Sequence, residues 1–169
     1  ENERERFPER MDVFEGLQEM SLQELLESED IEAVAVETED WHLSKYATLA
    51  AQHNKHIQMD KPGGLVLADF EKLINTMKQT NKLFHLGYMY RYNQYIKKII
   101  QDAKNGEFGT VVSVEAQMDC HYSVKKRNWL GNLNGGMMFY LGCHLVDIIL
   151  QIMGTPKNIV SNTAENAAN

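Results

Sequence analysis

The stretch "IEAVAVETEDWHLSKYATLAAQHNKHIQMDKP", residues 31–62, decides the fold. It begins with a β-branched apolar run at 31–38, continues as an Ala/Leu-rich segment with helical spacing at 42–54, and returns to a short apolar run at 55–60. These patterns predict a buried strand, a helix and a second strand. Strands that are separated by a single helix pair in parallel, because a hairpin needs a short turn. The stretch therefore predicts an α/β fold.

The same alternation of strands and helices continues on both sides of this stretch. Upstream, Ser21 and Glu24 have the spacing of a capping box, which predicts the start of a helix over 21–28. Downstream, the pattern predicts a helix at 65–81, a strand at 82–90 and a helix at 93–106 that ends at Gly106. The sequence thus predicts a parallel sheet with helical crossovers.

The pattern changes after Gly109. Residues 110–119 alternate apolar and polar side chains, which predicts a strand with one polar face, as in an antiparallel or open sheet. The remaining predicted elements are a polar loop at 120–136, a buried helix at 137–154 and the start of a strand at 158–163. We place a domain boundary near residue 92. The predicted domains are the α/β part at 1–91 and the start of an α+β part at 92–169.

Composition limits the class of protein. Hydrophobic residues make up 43% of the chain and charged residues 24%, as in soluble globular proteins. No apolar run approaches the ~20 residues of a membrane span. The two cysteines, Cys120 and Cys143, have no CxxC spacing, and the basic run 125–127 is too short to indicate nucleic-acid binding. We therefore expect a cytoplasmic protein that binds neither nucleic acid nor membrane.

Charge is unevenly distributed along the chain, which carries a net charge of −7. Residues 1–40 contain 15 Asp and Glu residues but only 3 Lys and Arg residues. We interpret this excess as the solvated acidic face of the early helices.

Chemistry-bearing side chains follow each predicted strand of the parallel sheet. Ligands of such sheets bind outside the carboxyl ends of the strands, which meet at one edge. We therefore expect the polar and aromatic residues after the three strands to converge there, although each alone is also typical of a loop. These residues are Thr38, Trp41, His42, Asp60, Lys61, Arg91 and Asn93.

Lys61 has an unusual position among them. Pro62 keeps it out of a helix and restrains its backbone, and the bond between them can be cis. Asp60 can keep the ammonium charged or hold it in place. A lysine placed in this way can donate a hydrogen bond to a substrate oxygen or lower the pKa of a hydroxyl. The alternative interpretation is a structural turn with a solvated lysine.

The predicted helix 137–153 carries a second candidate set. Tyr140, His144 and Asp147 share one face, because they are spaced by four and three residues. Histidine has an ordinary pKa near 6.5 and suits proton transfer, and Asp147 can orient the ring of His144. A buried core histidine is the alternative. A metal site is also conceivable but matches no strong motif; its ligands would be Asp119, His121, Cys143, His144 and Asp147.

Four motifs, in order and correctly spaced over roughly residues 20–160, resemble one family. "DKP" at 60–62 resembles its Glu-Lys-Pro motif, and residues 21–42 resemble its helix, strand and Thr-Pro-Asn-x-x-His turn. Residues 87–115 resemble its domain crossover, and residues 135–154 its Gly-Gly…Asp-x-x-x-His-x-x-Asp helix. The family is that of glucose–fructose oxidoreductase and inositol dehydrogenase, often called Gfo/Idh/MocA.

The resemblance implies a truncated Rossmann-like parallel sheet, followed by the start of an α+β domain with an open, mainly antiparallel sheet. It implies NAD or NADP as the cofactor, hydride exchange with a sugar, polyol or related carbinol or ketone, and a homo-oligomer. As catalytic residues it implies Lys61, His144 and Tyr140. As residues at the nicotinamide end of the cofactor it implies Thr38, Trp41, His42, Asp60, Lys61 and Arg91. We assign Asn93, Trp129 and Asp147 as candidate substrate contacts.

The sequence departs from the family pattern in several places. Tyr140 occupies the position at which the family has an Asp, four residues before the histidine. Because tyrosine is no carboxylate, the departure favours a reductase-like proton donor or an atypical substrate. Glu of the Glu-Lys-Pro motif is Asp60, and the usual Pro after Thr38 is Glu39. No G-x-G-x-x-G occurs in the 169 residues, although this loop normally holds the pyrophosphate.

We therefore expect the chain to be an internal piece of a protein about twice as long. In isolation we expect it to have no useful affinity for the cofactor and to aggregate through exposed sheet edges. Two alternatives to an oxidoreductase stay open: a non-catalytic relative that binds sugar, and a lyase or glycosidase that uses bound NAD transiently.

Overall fold

A three-stranded parallel sheet lies at the centre of the computed structural model, which describes residues 15–160. The strands are β1 (Ala33–Val36), β2 (His56–Met59) and β3 (Phe84–Leu86), in the order β1-β2-β3. Val34 of β1 pairs with Ile57 of β2, which pairs with Phe84 of β3. The prediction of a parallel, Rossmann-like sheet is confirmed.

Helices connect and follow the strands. They are α1 (Leu22–Glu27), α2 (Leu43–Gln52), α3 (Leu67–Lys78), α4 (Gln94–Lys104), α5 (Val124–Leu130) and α6 (Cys143–Met153). A 3-10 turn at Met89–Tyr92 precedes α4, and a π-helical turn at Met138–Gly142 leads into α6. Within residues 15–160, no helix is both long and apolar enough to cross a membrane.

Local sequence signals account for several helix ends. The predicted capping box is present, with the Ser21 hydroxyl accepting from the Glu24 N–H at 3.2 Å and the Glu24 carboxylate accepting from the Ser21 N–H at 2.8 Å. Asn93 starts α4 in the same way, because its side chain accepts from the backbone N–H groups of Tyr95 and Ile96. These contacts satisfy N–H groups that a helix start leaves free.

The core fills the space between the sheet and helices α2 and α3. Leu43, Met59 and Leu73 are its largest fully buried side chains. Lys55 is also buried, and its ammonium donates to the carbonyls of Ser28 and Ile31 at 2.5 and 2.8 Å. This lysine therefore attaches the loop between α1 and β1 to the start of β2.

A glycine turn carries the chain away from β2. Gly63 and Gly64 have φ angles of +110° and +102°, which L-residues with side chains rarely adopt. The Ser44 hydroxyl of α2 donates a 2.6 Å hydrogen bond to the Gly63 carbonyl, and a Cβ at Gly64 would overlap that hydroxyl. The turn after Lys61 and Pro62 is therefore held against α2.

Two strand predictions are wrong: one strand is shorter than predicted, and another is absent. The strand predicted at 82–90 ends at Leu86, because the next N–H groups bond two residues back, from Tyr88 to Leu86 and from Met89 to Gly87. Residues 110–119 form no strand. A strand needs a hydrogen-bonded neighbour, and no described residue pairs with this segment.

The strand predicted to begin at residue 158 is also absent from residues 158–160, and its remaining residues, 161–163, lie outside the described part of the chain.

Candidate active site

The carboxyl ends of the strands lie together at one edge of the sheet. Beyond the ladder, the Asp60 N–H donates to the Val36 carbonyl at 3.1 Å, and the Gly87 N–H donates to the Met59 carbonyl at 2.8 Å. A Cβ at Gly87 would lie 3.3 Å from the Asp60 carboxylate, so glycine leaves room for that side chain. The segments that follow the three strands therefore leave the sheet side by side, as the sequence predicts.

Lys61 connects this edge to the C-terminal helices. Its backbone N–H donates to the Asp60 carboxylate at 2.8 Å, and its bond to Pro62 is cis. Its ammonium donates to the Tyr140 carbonyl at 2.7 Å and lies 4.0 Å from the centre of the Tyr140 ring. Asp60 therefore binds the backbone N–H of Lys61, whereas the ammonium of Lys61 contacts Tyr140.

Tyr140 also contacts a second lysine, Lys126 of α5. The Lys126 ammonium donates to the Tyr140 hydroxyl at 3.3 Å and lies 3.6 Å from the Trp129 ring centre. Trp129 packs edge-on against Tyr140 at 5.4 Å and lies 6.2 Å from Trp41, between ring centres. We call Trp41, Lys61, Lys126, Trp129 and Tyr140 the lysine–aromatic cluster.

His144 lies in a buried position on α6, with only 5% of its surface exposed. The rings of Tyr88 and Tyr90 meet it edge-on, with ring centres 5.9 and 4.9 Å away. Its Nδ1 is buried and has no hydrogen-bond partner. Burial, followed by the positive charge of Lys61, lowers the pKa of His144 below its ordinary value of 6.5. The imidazole is therefore neutral near pH 7.

Arg91 and Asp147 form an ion pair next to His144. The guanidinium donates two hydrogen bonds to the carboxylate, Nε to Oδ2 at 2.8 Å and Nη2 to Oδ1 at 2.5 Å. The hydrogen bonds that Arg91 donates to Asp147 raise the pKa of Arg91. The prediction that Asp147 orients the His144 ring is wrong, because Arg91 occupies the carboxylate and His144 Nδ1 stays unpaired.

Helix α6 buries its polar face rather than its apolar one. His144 and Asp147 are buried, whereas Val146 and Leu150 are about as exposed as surface residues, at 40% and 39%. The prediction of a generally buried helix therefore holds only for the side that packs on the segment after β3. The apolar side borders a cavity of about 430 Å³ that Pro62 and Tyr88 also line.

Three predicted residues lie apart from this centre. Thr38 lines a separate cavity of about 390 Å³ between α1, β1 and α2. His42 precedes α2, is exposed, and packs edge-on against Trp41 and Tyr46. The Asn93 side chain caps α4. The structure thus brings together Trp41, Lys61, Trp129 and Tyr140 and places the pair of Arg91 and Asp147 beside His144. It leaves Thr38, His42 and Asn93 outside this centre.

Sequence reasoning missed Lys126 and Asp40. Lys126 lies in a short basic run, but its spacing of three from Trp129, on a helix that Ser123 caps, is a signal that identifies it. Asp40 is 7% exposed, and burial raises its pKa, against the opposing charges of Lys61 and Lys126. No sequence signal identified Asp40 as buried.

The metal site considered from the sequence does not assemble. Within residues 15–160, no three His, Cys, Asp or Glu side chains lie close enough together to hold a metal ion. His144 and Asp147 pack instead against Tyr88, Tyr90 and Arg91.

Comparison with family models adds to this geometry. Residues 1–88 match the oxidoreductase family with an NAD-binding Rossmann fold, and residues 93–169 match the GFO/IDH/MocA C-terminal domain. The chain belongs to the Gfo/Idh/MocA family of oxidoreductases. The resemblance seen in the four sequence motifs is thereby confirmed.

Individual curated proteins are similar to this chain at low sequence identity. An uncharacterised oxidoreductase of Schizosaccharomyces pombe is 25% identical over 83% of this chain, and the match covers 38% of that protein. Myo-inositol 2-dehydrogenase of Thermotoga maritima is 29% identical over 51% of this chain and 26% of its own length. The chain therefore spans less than half the length of these curated relatives.

A solved structure of the family supports the fold. The crystal structure of a "probable dehydrogenase from Thermotoga maritima" superposes with a TM-score of 0.72 at 23% identity, covering 89% of this chain and 45% of the other. At this identity the likeness shows the fold alone.

Proposed function

We propose that this chain is part of an NAD(P)-dependent oxidoreductase that transfers a hydride between a nicotinamide cofactor and a sugar, polyol or related carbinol or ketone. One observation carries the proposal: the Lys61 ammonium, fixed by the Tyr140 carbonyl, and the buried His144 lie at the same edge, where burial, followed by the charge of Lys61, lowers the pKa of His144. The similarity to myo-inositol 2-dehydrogenase supports the substrate class.

The residues of this edge suit the nicotinamide end of the cofactor. Trp41, Asp60 and Lys61 follow the carboxyl ends of β1 and β2, where parallel sheets bind ligands. The unpaired Nδ1 of His144 adds a buried polar atom of the kind that active sites contain. Hydride exchange with the substrate carbon is the chemistry that NAD(P) supplies when bound. No residue is assigned to its pyrophosphate, since the sequence has no G-x-G-x-x-G loop.

Two side chains would handle the reacting oxygen. Lys61 would donate a hydrogen bond to it and stabilise the negative charge that develops there when a hydroxyl loses its proton. His144 would accept that proton, because the neutral imidazole is its dominant form near pH 7, and would return it in the direction of reduction. Tyr140 would act as a hydrogen-bonding group, since its hydroxyl already accepts from Lys126.

Two further features belong to the proposal. We place the end of the cofactor-binding domain at residue 91 and the start of the substrate domain at residue 92, a boundary that lies in the interval between the two family matches, 1–88 and 93–169. We also propose a homo-oligomer, on the resemblance alone.

The test measures nicotinamide absorbance in the near ultraviolet on the full-length protein with a panel of sugars, polyols and ketoses. A steady change that depends on substrate supports the proposal. Substrate consumption without net change in absorbance would indicate an NAD-assisted lyase or glycosidase. Binding without turnover would indicate a non-catalytic sugar-binding protein.

A further inference from the structure

We propose that Lys126 anchors a carboxylate or phosphate group of the substrate, so that the site selects anionic sugars over neutral ones. The inference rests on the proposed function for the location of the site and for the sugar class. It adds a residue, Lys126, and a charge requirement that follow from the lysine–aromatic cluster.

Two ammonium groups lie against the ring of one tyrosine. The Lys61 and Lys126 ammonium groups lie 4.0 and 4.4 Å from the Tyr140 ring centre. Within residues 15–160, the ion pairs join other groups, Arg91 to Asp147 and Lys98 to Asp102. Among the described residues, neither lysine therefore forms an ion pair with an acidic side chain.

Three carboxylates of the surrounding segments bind other groups or are buried. Asp60 accepts the backbone N–H of Lys61, and Asp147 is held by Arg91. Asp40 influences both lysines electrostatically, but it is buried, and burial raises its pKa. An anionic ligand beside Lys126 would give it an acidic partner in direct contact, and Lys61, which lies against the same Tyr140 ring, would add to the attraction.

Lys126 also has hydrogen-bonding capacity to spare. A lysine ammonium has three N–H donors. Among the described residues, Lys126 donates a side-chain hydrogen bond to one acceptor, the Tyr140 hydroxyl at 3.3 Å. Its remaining contacts are cation–π contacts with the faces of Trp129 and Tyr140, which provide no oxygen or nitrogen acceptor for a further hydrogen bond. At least one donor is therefore free to bind a ligand oxygen.

The aromatic members of the cluster fit the remainder of a sugar. Trp41 is 41% exposed and lies 6.2 Å from Trp129, so an indole surface is open next to the ammonium groups. Ligand sites typically combine aromatic walls with a few polar groups that fix orientation. Here the indoles would contact the apolar face of the sugar, and Lys126 would fix its charged end.

Calorimetric titration of the full-length protein, without nicotinamide, tests the inference. The ligands are D-glucuronate, D-glucose 6-phosphate and neutral D-glucose, so that carboxylate and phosphate are compared with an uncharged sugar of the same ring. We expect at least one anionic sugar to bind more tightly than glucose. We expect Lys126→Gln to weaken that binding about tenfold, because a hydrogen bond to a charged group is lost.

Matched variants separate binding from folding. Lys126→Arg keeps the positive charge and should retain most of the affinity. Lys125→Gln removes the neighbouring exposed lysine and should leave it unchanged. The inference is overturned if glucose binds as tightly as both anionic sugars, if no anionic sugar binds, or if Lys126→Gln weakens binding no more than Lys125→Gln does.

The outcome is independent of hydride transfer. An anionic sugar that binds through Lys126 but is never oxidised or reduced would contradict the proposed function and leave the anion site intact. Turnover of neutral polyols that is insensitive to Lys126→Gln would support the proposed function and contradict the anion site.

Discussion

Arg91 and Asp147 lie 56 residues apart in the chain and are joined by two hydrogen bonds, from Nε to Oδ2 and from Nη2 to Oδ1. Arg91 belongs to the 3-10 turn after β3, and Asp147 belongs to α6. The pair therefore connects the parallel sheet to the C-terminal helix that carries His144. A fork of two parallel hydrogen bonds fixes orientation as well as distance.

Arg91→Ala is expected to lower the free energy of unfolding by about 1–2 kcal/mol. The change leaves the Asp147 carboxylate, whose side chain is 9% exposed, without its partner. The guanidinium side is half exposed, which keeps the expected loss below that of a fully buried pair. Urea denaturation followed by circular dichroism measures the effect.

Arg127→Ala is the control, because Arg127 is exposed on α5, and it should change stability by less than about 0.5 kcal/mol. Adding Asp147→Asn to Arg91→Ala should recover part of the loss by removing the unpaired charge. An Arg91→Ala protein as stable as the Arg127→Ala protein would show that the pair contributes nothing.

Gly64→Ala is expected to destabilise the fold by about 2 kcal/mol or more. Gly64 has φ +102°, and the added Cβ would overlap the Ser44 hydroxyl, which holds the Gly63 carbonyl. Both strain and a displaced hydrogen bond therefore contribute. Thermal unfolding of the variant gives the measurement.

Gly106→Ala separates these two contributions. Gly106 also has a positive φ, +78°, but nothing lies within 4 Å of its Cβ position, so only backbone strain of about 1 kcal/mol is expected. The double variant of Gly64→Ala with Ser44→Ala should be less destabilised than the sum of the single changes. Equal losses for the two glycine variants would rule out the steric contribution.

Stability is expected to fall in mild acid because of His144. Burial lowers its pKa in the folded state, so between the folded value and the ordinary value near 6.5 the unfolded chain binds more protons. The stabilising contribution is therefore complete above about pH 6.5 and is lost as pH falls through the folded pKa. Lys61 strengthens this effect, whereas Asp60 and Asp147 oppose it.

Urea midpoints at about pH 8 and about pH 5.5 test this expectation. His144→Gln should reduce the difference between the two midpoints relative to the unchanged protein. His53→Gln, at an exposed position at the end of α2, should preserve it. The same pH dependence in all three proteins would contradict the assignment to His144.

Lys61→Met is expected to lower kcat for hydride transfer in the full-length protein by about 10²-fold or more, because the reacting oxygen loses its charged donor. Lys61→Arg keeps the charge but changes the donor geometry, so an intermediate loss is expected. The readout is nicotinamide absorbance, with kcat and KM determined separately.

Lys97→Met, on the exposed face of α4, controls for the removal of a lysine and should have no effect on either constant. A Lys61→Met protein with unchanged kcat and raised KM would assign Lys61 to ground-state binding rather than to chemistry.

Much of the parallel sheet was predictable from local pattern. The apolar runs that became β1 and β2 and the helical spacing of α2 follow from side-chain periodicity, which acts over a few residues. The end of β3 was not predictable in this way, because turn hydrogen bonds of Tyr88 and Met89 stopped the strand. Residues 110–119 have a strand pattern, but a strand also needs a neighbour.

The candidate site was predictable in its location but only partly in its contacts. Topology places the residues after the strands at one edge, and the sequence located Lys61 there. The bond of Lys61 to the Tyr140 carbonyl and the contact of Trp41 with Trp129 depend on how α5 and the π-helical turn before α6 pack against that edge. Such packing joins residues tens of positions apart, and no local periodicity encodes it.

The sequence by itself determined the α/β class, the family, and the position of Lys61 at a strand end, because each depends on local pattern or on ordered motifs. Only the tertiary structure decided that Arg91 neutralises Asp147, that His144 is buried without a partner for Nδ1, and that two lysines meet at Tyr140. The physical reason is that charge and burial depend on the distances between side chains from different elements, which are defined only once the chain has packed.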